Sequence, residues 1–118
     1  MKAGKVWGET IVLLATPVLE VHRLKITPNS FCSLHRHHGR WNAFVVTSGR
    51  LLVEVHQQAY DLVDVTELRP GDLATVEPGL LHRFRTAAEG AECLEIYYPV
   101  VLGATDIERQ DVGGGQVL

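Results

Sequence analysis

The feature that most constrains this chain is its punctuation. Turn signals recur at Thr16-Pro17, Pro28-Asn29, Ser48-Gly49, Arg69-Pro70-Gly71-Asp72 and Glu77-Pro78-Gly79, and the stretches between them are short, β-branched or aliphatic, and free of helical period. Strands are expected over residues 10–14, 19–26, 31–37, 42–48, 51–56, 73–76, 82–86 and 93–98, with one ragged edge segment or two short strands in 60–68. Residues 19–26 alternate strictly, with Leu19, Val21 and Arg23 on one face and Glu20, His22, Leu24 and Ile26 on the other. Many short strands without a helix of ordinary length predict an all-β antiparallel sandwich or barrel. At 118 residues and 46% hydrophobic content, the chain suits a single domain with one core.

Within that frame, residues 35–49 carry the chemistry. In a strand alternate side chains share a face, so Phe31, Ser33, His35 and His37 are expected together, and the two imidazoles can share one ligand, a metal being the obvious one. Gly39 allows a tight connection, after which Asn42, Phe44 and Val46 alternate along the next strand and bring an amide oxygen toward the histidines. The plainer reading of His35-Arg36-His37-His38 is a solvated basic loop. Gly49 is expected to adopt a conformation other residues avoid, with 51–56 returning as a hairpin partner. His82 and Phe84 share one face of their strand, with Arg83 and Arg85 on the other. His22 reads as an ordinary strand histidine and His56 as solvent-facing.

Composition excludes several classes. A formal net charge of -3 lacks the footprint of a nucleic-acid binder. The apolar run at 11–15 is too short for a signal peptide or a membrane span, so a cytoplasmic protein without membrane contact is expected. Cys32 and Cys93, with no Cys-x-x-Cys pair, read as small buried hydrophobes.

The spacing of these residues resembles the two motifs of the cupin superfamily. Asn29 stands in the leading Gly position, followed by His35-x-His37, Asn42 in the Glu position, and Gly49; the second motif runs Gly71, Pro78-Gly79, His82, with Thr86 in the Asn position. The resemblance implies a single-domain cupin, a double-stranded β-helix or jelly-roll barrel, with its core at about 7–99 and an extension at 100–118. A narrower set is similar to the C-terminal isomerase domain of bifunctional mannose-1-phosphate guanylyltransferase/mannose-6-phosphate isomerases. It comprises Lys5-x-Trp7-Gly8, Leu34, His37-His38, Val45-Val46-x-Ser48-Gly49, His82-Arg83, Leu94-Glu95-Ile96 and Leu102-Gly103-x-x-Asp106-Ile107-x-Arg109. That family usually has Gln where this chain has His35, and Glu where it has Asn42; its Tyr-Gly-Arg ending is missing. No phosphate loop occurs, so guanylyl transfer is not implied.

The resemblance implies His35, His37, Asn42 and His82 as ligands of a divalent transition metal, Zn, Fe, Mn or Ni. Phe44 and Phe84 would wall the substrate pocket, and Arg109 would receive a phosphate. Glu95, Tyr98 and Asp106 are the available bases, none with settled parity. Three functions stand open. One is a metal-dependent protein acting on or binding a small sugar or sugar phosphate; another is a three-His Fe(II) dioxygenase; the third is a non-catalytic metabolite-binding module. A homodimer is expected, paired through outward apolar residues such as Val45 and Leu34.

Overall fold

The structure, a computed structural model, describes residues 2–99. Among the described residues there are nine strands: β1 (Lys2–Lys5), β2 (Gly8–Thr16), β3 (Leu19–Ile26), β4 (Arg40–Gly49), β5 (Leu51–Gln57), β6 (Leu62–Leu68), β7 (Leu73–Val76), β8 (Leu81–Arg85) and β9 (Ala91–Pro99). One 3-10 turn at Gln58–Tyr60 is the sole helical element among the described residues. The strands form a six-stranded sheet ordered β1-β2-β3-β9-β4-β7 and a three-stranded sheet ordered β6-β5-β8, every pairing antiparallel.

Inward-facing residues of both sheets make one core. Leu24 and Ile26 on β3, Phe44 and Val46 on β4, Leu51 and Val53 on β5, Phe84 on β8 and Cys93 on β9 are buried together with Trp7. Trp7 sits in the turn between β1 and β2, and its ring meets Phe84 edge-on at 4.9 Å between centroids. The Trp7 carbonyl accepts hydrogen bonds from both the backbone N–H and the hydroxyl of Thr27. The expected turn chemistry is observed at Asn29 (φ 53°) and at Gly49 (φ 77°), where an added Cβ would lie 2.0 Å from the Gly90 carbonyl oxygen.

Four sequence expectations need correction. Residues 31–37 are not a continuous strand: the segment touches β8 only at the isolated bridges Phe31–Arg85 and His35–His82. Alternation breaks within it, since Cys32 is buried while Phe31 is 60% exposed, so Phe31 does not share the face of the histidines. Residues 51–56 do not return beside β4. β5 crosses to the other sheet, because Leu51 and Val53 must close the core opposite Phe44. The first expected strand extends to Gly8–Thr16, and Lys2–Lys5 adds an edge strand to it. Of the two readings of residues 60–68 the single edge segment holds, as β6 over Leu62–Leu68, whereas His56 is half-buried beside Glu54 rather than fully exposed. Asp106 and Arg109 lie outside the described residues.

Candidate metal and ligand site

Two reciprocal backbone hydrogen bonds build the site. The N–H of His35 donates to the His82 carbonyl at 3.1 Å, and the N–H of His82 donates back at 2.8 Å. The Gly79 N–H donates to the His37 carbonyl, so the strandless segment is held where its histidines meet β8. The ring centroids of His35 lie 4.6 Å from those of His82 and 4.9 Å from those of His37. One ligand-capable atom from each of His35, His37 and His82 falls within 4.8 Å of the others.

The ring protons are directed by the backbone. His35 and His82 each donate from Nδ1 to a carbonyl two residues earlier, that of Ser33 at 2.8 Å and of Leu80 at 2.9 Å. That leaves both Nε2 lone pairs free of the backbone. His37 Nδ1 accepts from Arg40 Nη2 at 3.4 Å, and its buried Nε2 has no partner. Burial holds His37 down to about 4, with Arg40 and the other two histidines adding to the effect. Burial also lowers His82, against the pull of the Leu80 carbonyl. Neutral imidazoles are the form that ligates a metal.

Behind the histidines stands a carboxylate. Asn42, 1% exposed, donates from Nδ2 to Glu95 Oε2 at 3.2 Å and lies 3.4 Å from His82 Nε2, while its Oδ1 has no partner. The amide therefore faces the cluster with its nitrogen; presenting Oδ1 requires the amide to turn over. Burial pushes Glu95 up to about 7, opposed by the Tyr97 hydroxyl, Arg40 and Asn42. Tyr97 is pushed up as well, by burial and by Glu95. Its ring lies between His22 and His37, 5.5 Å from each, with the Arg40 guanidinium 4.0 Å above it.

A cavity of about 250 Å3 adjoins the cluster, its wall including Lys5, Thr10, His22, Phe84, Glu95 and Tyr97. His35 also lines it. Phe44 does not: it is fully buried, packed edge-on behind Phe84 at 6.1 Å. Tyr98 points to the outer face and stacks on Trp41. Sequence reasoning left Glu95 ambiguous and passed over Tyr97, His22 and Lys5. A signal existed for three of them. Cys93, expected to be buried, shares parity with Glu95 and Tyr97, and His22 shares parity with Leu24 and Ile26. Lys5 carried no such mark, because β1 was not anticipated.

The sequence matches the cupin domain family (Cupin_2) over residues 22–97. No curated protein matches it significantly. Among solved structures, KdgF from Halomonas sp. superposes with a TM-score of 0.69 at 17% identity, over 80% of this chain and 82% of that one. A tryptophan-to-tyrosine variant of oxalate decarboxylase from Bacillus subtilis gives 0.73 at 19% identity, over 84% of this chain and 27% of that one. The cupin domain of Schizosaccharomyces pombe Cnp3 gives 0.69 at 9% identity, over 80% and 66%. These likenesses are of fold. Among the described residues no helix is long and apolar enough to cross a membrane.

Proposed function

The chain belongs to the cupin family, and from that premise we propose that it holds one divalent transition metal and acts on a small sugar or sugar derivative by moving a proton beside a carbonyl, in the manner of an aldose–ketose isomerase. The observation that carries this reading is the convergence of three imidazoles, those of His37 and His82 lowered by burial, next to a buried carboxylate, with His35 and Glu95 opening on one cavity.

The residues present fit a metal. Three nitrogen donors suit a borderline transition ion, and the unpartnered Nε2 of His37 is a buried polar atom that such an ion satisfies. His35, His37 and His82 would hold it; Asn42 would join them only with its amide turned over. A bound divalent ion supplies positive charge that polarises a carbonyl or hydroxyl oxygen.

Everything else falls to this chain's own groups. Glu95, in its ionised form, is the base that takes the proton from the hydroxyl-bearing carbon next to the carbonyl and returns it to the former carbonyl carbon, while the proton of that hydroxyl passes to the former carbonyl oxygen, so the substrate isomerises with no external oxidant or reductant. A carboxyl held near 7 suits that task, since it is a competent base and a competent acid at neutral pH. The Tyr97 hydroxyl and the Asn42 amide both donate to Glu95 and fix its orientation. Phe84 and Trp7 line one wall of the cavity and limit water.

A second copy of the chain is proposed on the outer face of the six-stranded sheet. There Leu14, Val21, Ile96 and Ala43 form one row across four strands, and Leu94, Val45 and Leu73 another. A face five strands wide at ~4.8 Å spacing and about seven residues long at ~3.3 Å rise projects to roughly 500 Å2. Its accessible area is larger and approaches the ~800 Å2 per partner of a stable pair. Leu34 is not part of this face.

Elemental analysis of protein purified without chelator, beside His82→Ala, tests the metal. One near-stoichiometric transition ion, lost in the variant, is expected; no metal in either sample overturns the reading. Deuterium incorporation from D2O into mannose 6-phosphate, abolished by Glu95→Gln, tests the proton transfer. Stoichiometric iron with oxygen uptake would instead favour dioxygenation. Light scattering showing only monomer at micromolar concentration would refute the dimer.

A further inference from the structure

At the edge of the cavity stands an exposed cation that the proposed proton transfer does not use. Lys5 lines its wall, and among the described residues Lys5 has no carboxylate partner. Its neighbours are spoken for. Lys2 pairs with Glu9 at 2.8 Å, Lys25 stands between Glu9 and Glu92, Arg40 meets Glu20, and Arg83 and Arg85 both meet Glu54. The fold also holds Lys5 in place. It pairs with Gly8 across the two-residue turn Val6-Trp7, and Trp7 is driven into the core against Phe84. Gly8 makes this approach possible, since at φ 147° an added Cβ would lie 1.9 Å from the Lys25 carbonyl oxygen.

Between Lys5 and the histidines the wall is polar. Thr10 Oγ1 lies 3.5 Å from His22 Nδ1, and His22 Nε2 is buried without a hydrogen-bond partner, 3.7 Å from Glu20 Oε1. An imidazole nitrogen left unpaired in a cavity wall is a group for a ligand hydroxyl to meet. The volume of about 250 Å3 equals roughly eight waters at ~30 Å3 each and falls below the ~300–1,000 Å3 of drug-sized pockets.

Resting on the sugar reading above, we infer that this cavity binds a small polyhydroxy compound with an anionic end group. Lys5 receives the anionic oxygens, Thr10 and His22 meet hydroxyls, and the other end lies against His35 and Glu95, beside the histidine cluster. Lys5 is thereby a specificity-determining residue. The anionic group is a carboxylate or a phosphate, and the two are separable by experiment.

The test is calorimetric titration of zinc-loaded protein, wild type, Lys5→Ala, Lys5→Arg and Arg109→Ala, with D-mannose, D-mannuronate and D-mannose 6-phosphate. These differ only at the sixth carbon. At low ionic strength an anionic member should bind the wild type roughly two- to fivefold tighter than D-mannose, the range of an exposed ion pair. Lys5→Ala should erase that preference, while Lys5→Arg and Arg109→Ala retain it. Preference for mannuronate assigns a carboxylate, and preference for the 6-phosphate a phosphate. A preference that survives Lys5→Ala, no preference, or no binding of any member overturns the inference. Zinc content measured on the same samples separates the two proposals: protein that loads zinc but ignores the anion refutes only this inference, whereas protein that cannot load zinc refutes the metal site itself.

Discussion

Glu95 makes the buried site measurable without any substrate. Its carboxyl is raised from 4.5 to about 7, chiefly by burial. Between those two values the folded chain keeps a proton that the unfolded chain has released, so stability falls as pH rises. The contribution is fully present below 4.5 and is lost as the pH passes about 7. A difference of roughly two and a half units at ~1.36 kcal/mol each amounts to about 3 kcal/mol, most of it between pH 5 and pH 8. Glu95→Gln removes the ionisation while keeping an oxygen to accept from the Tyr97 hydroxyl. Its new N–H group has an acceptor at hand in the unpartnered Oδ1 of Asn42, once that amide turns over. The variant should therefore match the wild type near pH 5 and exceed it by about 2–3 kcal/mol at pH 8. Urea unfolding of the chelator-treated proteins, followed by tryptophan fluorescence at both pH values, reads the difference. His37 and His82 act in the opposite sense: their lowered values give stability present above 6.5 and lost as pH falls through the folded value. Both proteins keep those histidines, so the difference between them isolates Glu95. Parallel pH profiles for wild type and variant would refute the assignment of a buried, neutralised carboxyl.

The same histidines set the pH of metal release. With His37 held down to about 4 and His82 lowered, zinc should be retained at pH 5.5, below the ordinary histidine value of 6.5; release centred at 6.5 in a dialysis series would contradict this. Gly49→Ala places a Cβ against the Gly90 carbonyl at a positive φ and should cost about 3 kcal/mol or more in the same urea assay, while Gly71→Ala, whose Cβ meets nothing within 4 Å, should cost less. Phe84→Ala removes the ring that Trp7 and Phe44 both pack against, and a loss of about 3–5 kcal/mol is expected. Burial pushes Cys32 up to about 11 and raises Cys93, so neither thiol should react with a disulfide reagent at pH 8 until the chain unfolds.

What the sequence determined by itself was local. Strict alternation over residues 19–26 and 82–86 set which side chains share a face, because a strand offers only two faces. Pro-Asn, Ser-Gly and Pro-Gly-Asp marked turns through backbone preferences that need no distant partner, and Asn29, Gly49 and Gly71 all take positive φ as those preferences require. His35-x-His37 was legible as a pair of possible ligands, and His82 joined it only through the resemblance to the cupin motifs. Tertiary structure decided the rest. Residues 31–37 have no sheet ladder of their own, so their phase depends on where His35 docks on β8, and Cys32 turns inward while Phe31 turns out. β5 leaves β4 because closing a two-sheet core outweighs the nearest hairpin, a choice that local pattern does not encode. Glu95 and Tyr97 reach the histidines because β9 lies between β3 and β4, and Lys5 reaches the cavity because Trp7, two residues on, buries against Phe84 across the core. Those contacts join residues far apart in the chain, and only the packing of the two sheets against one another brings them within reach.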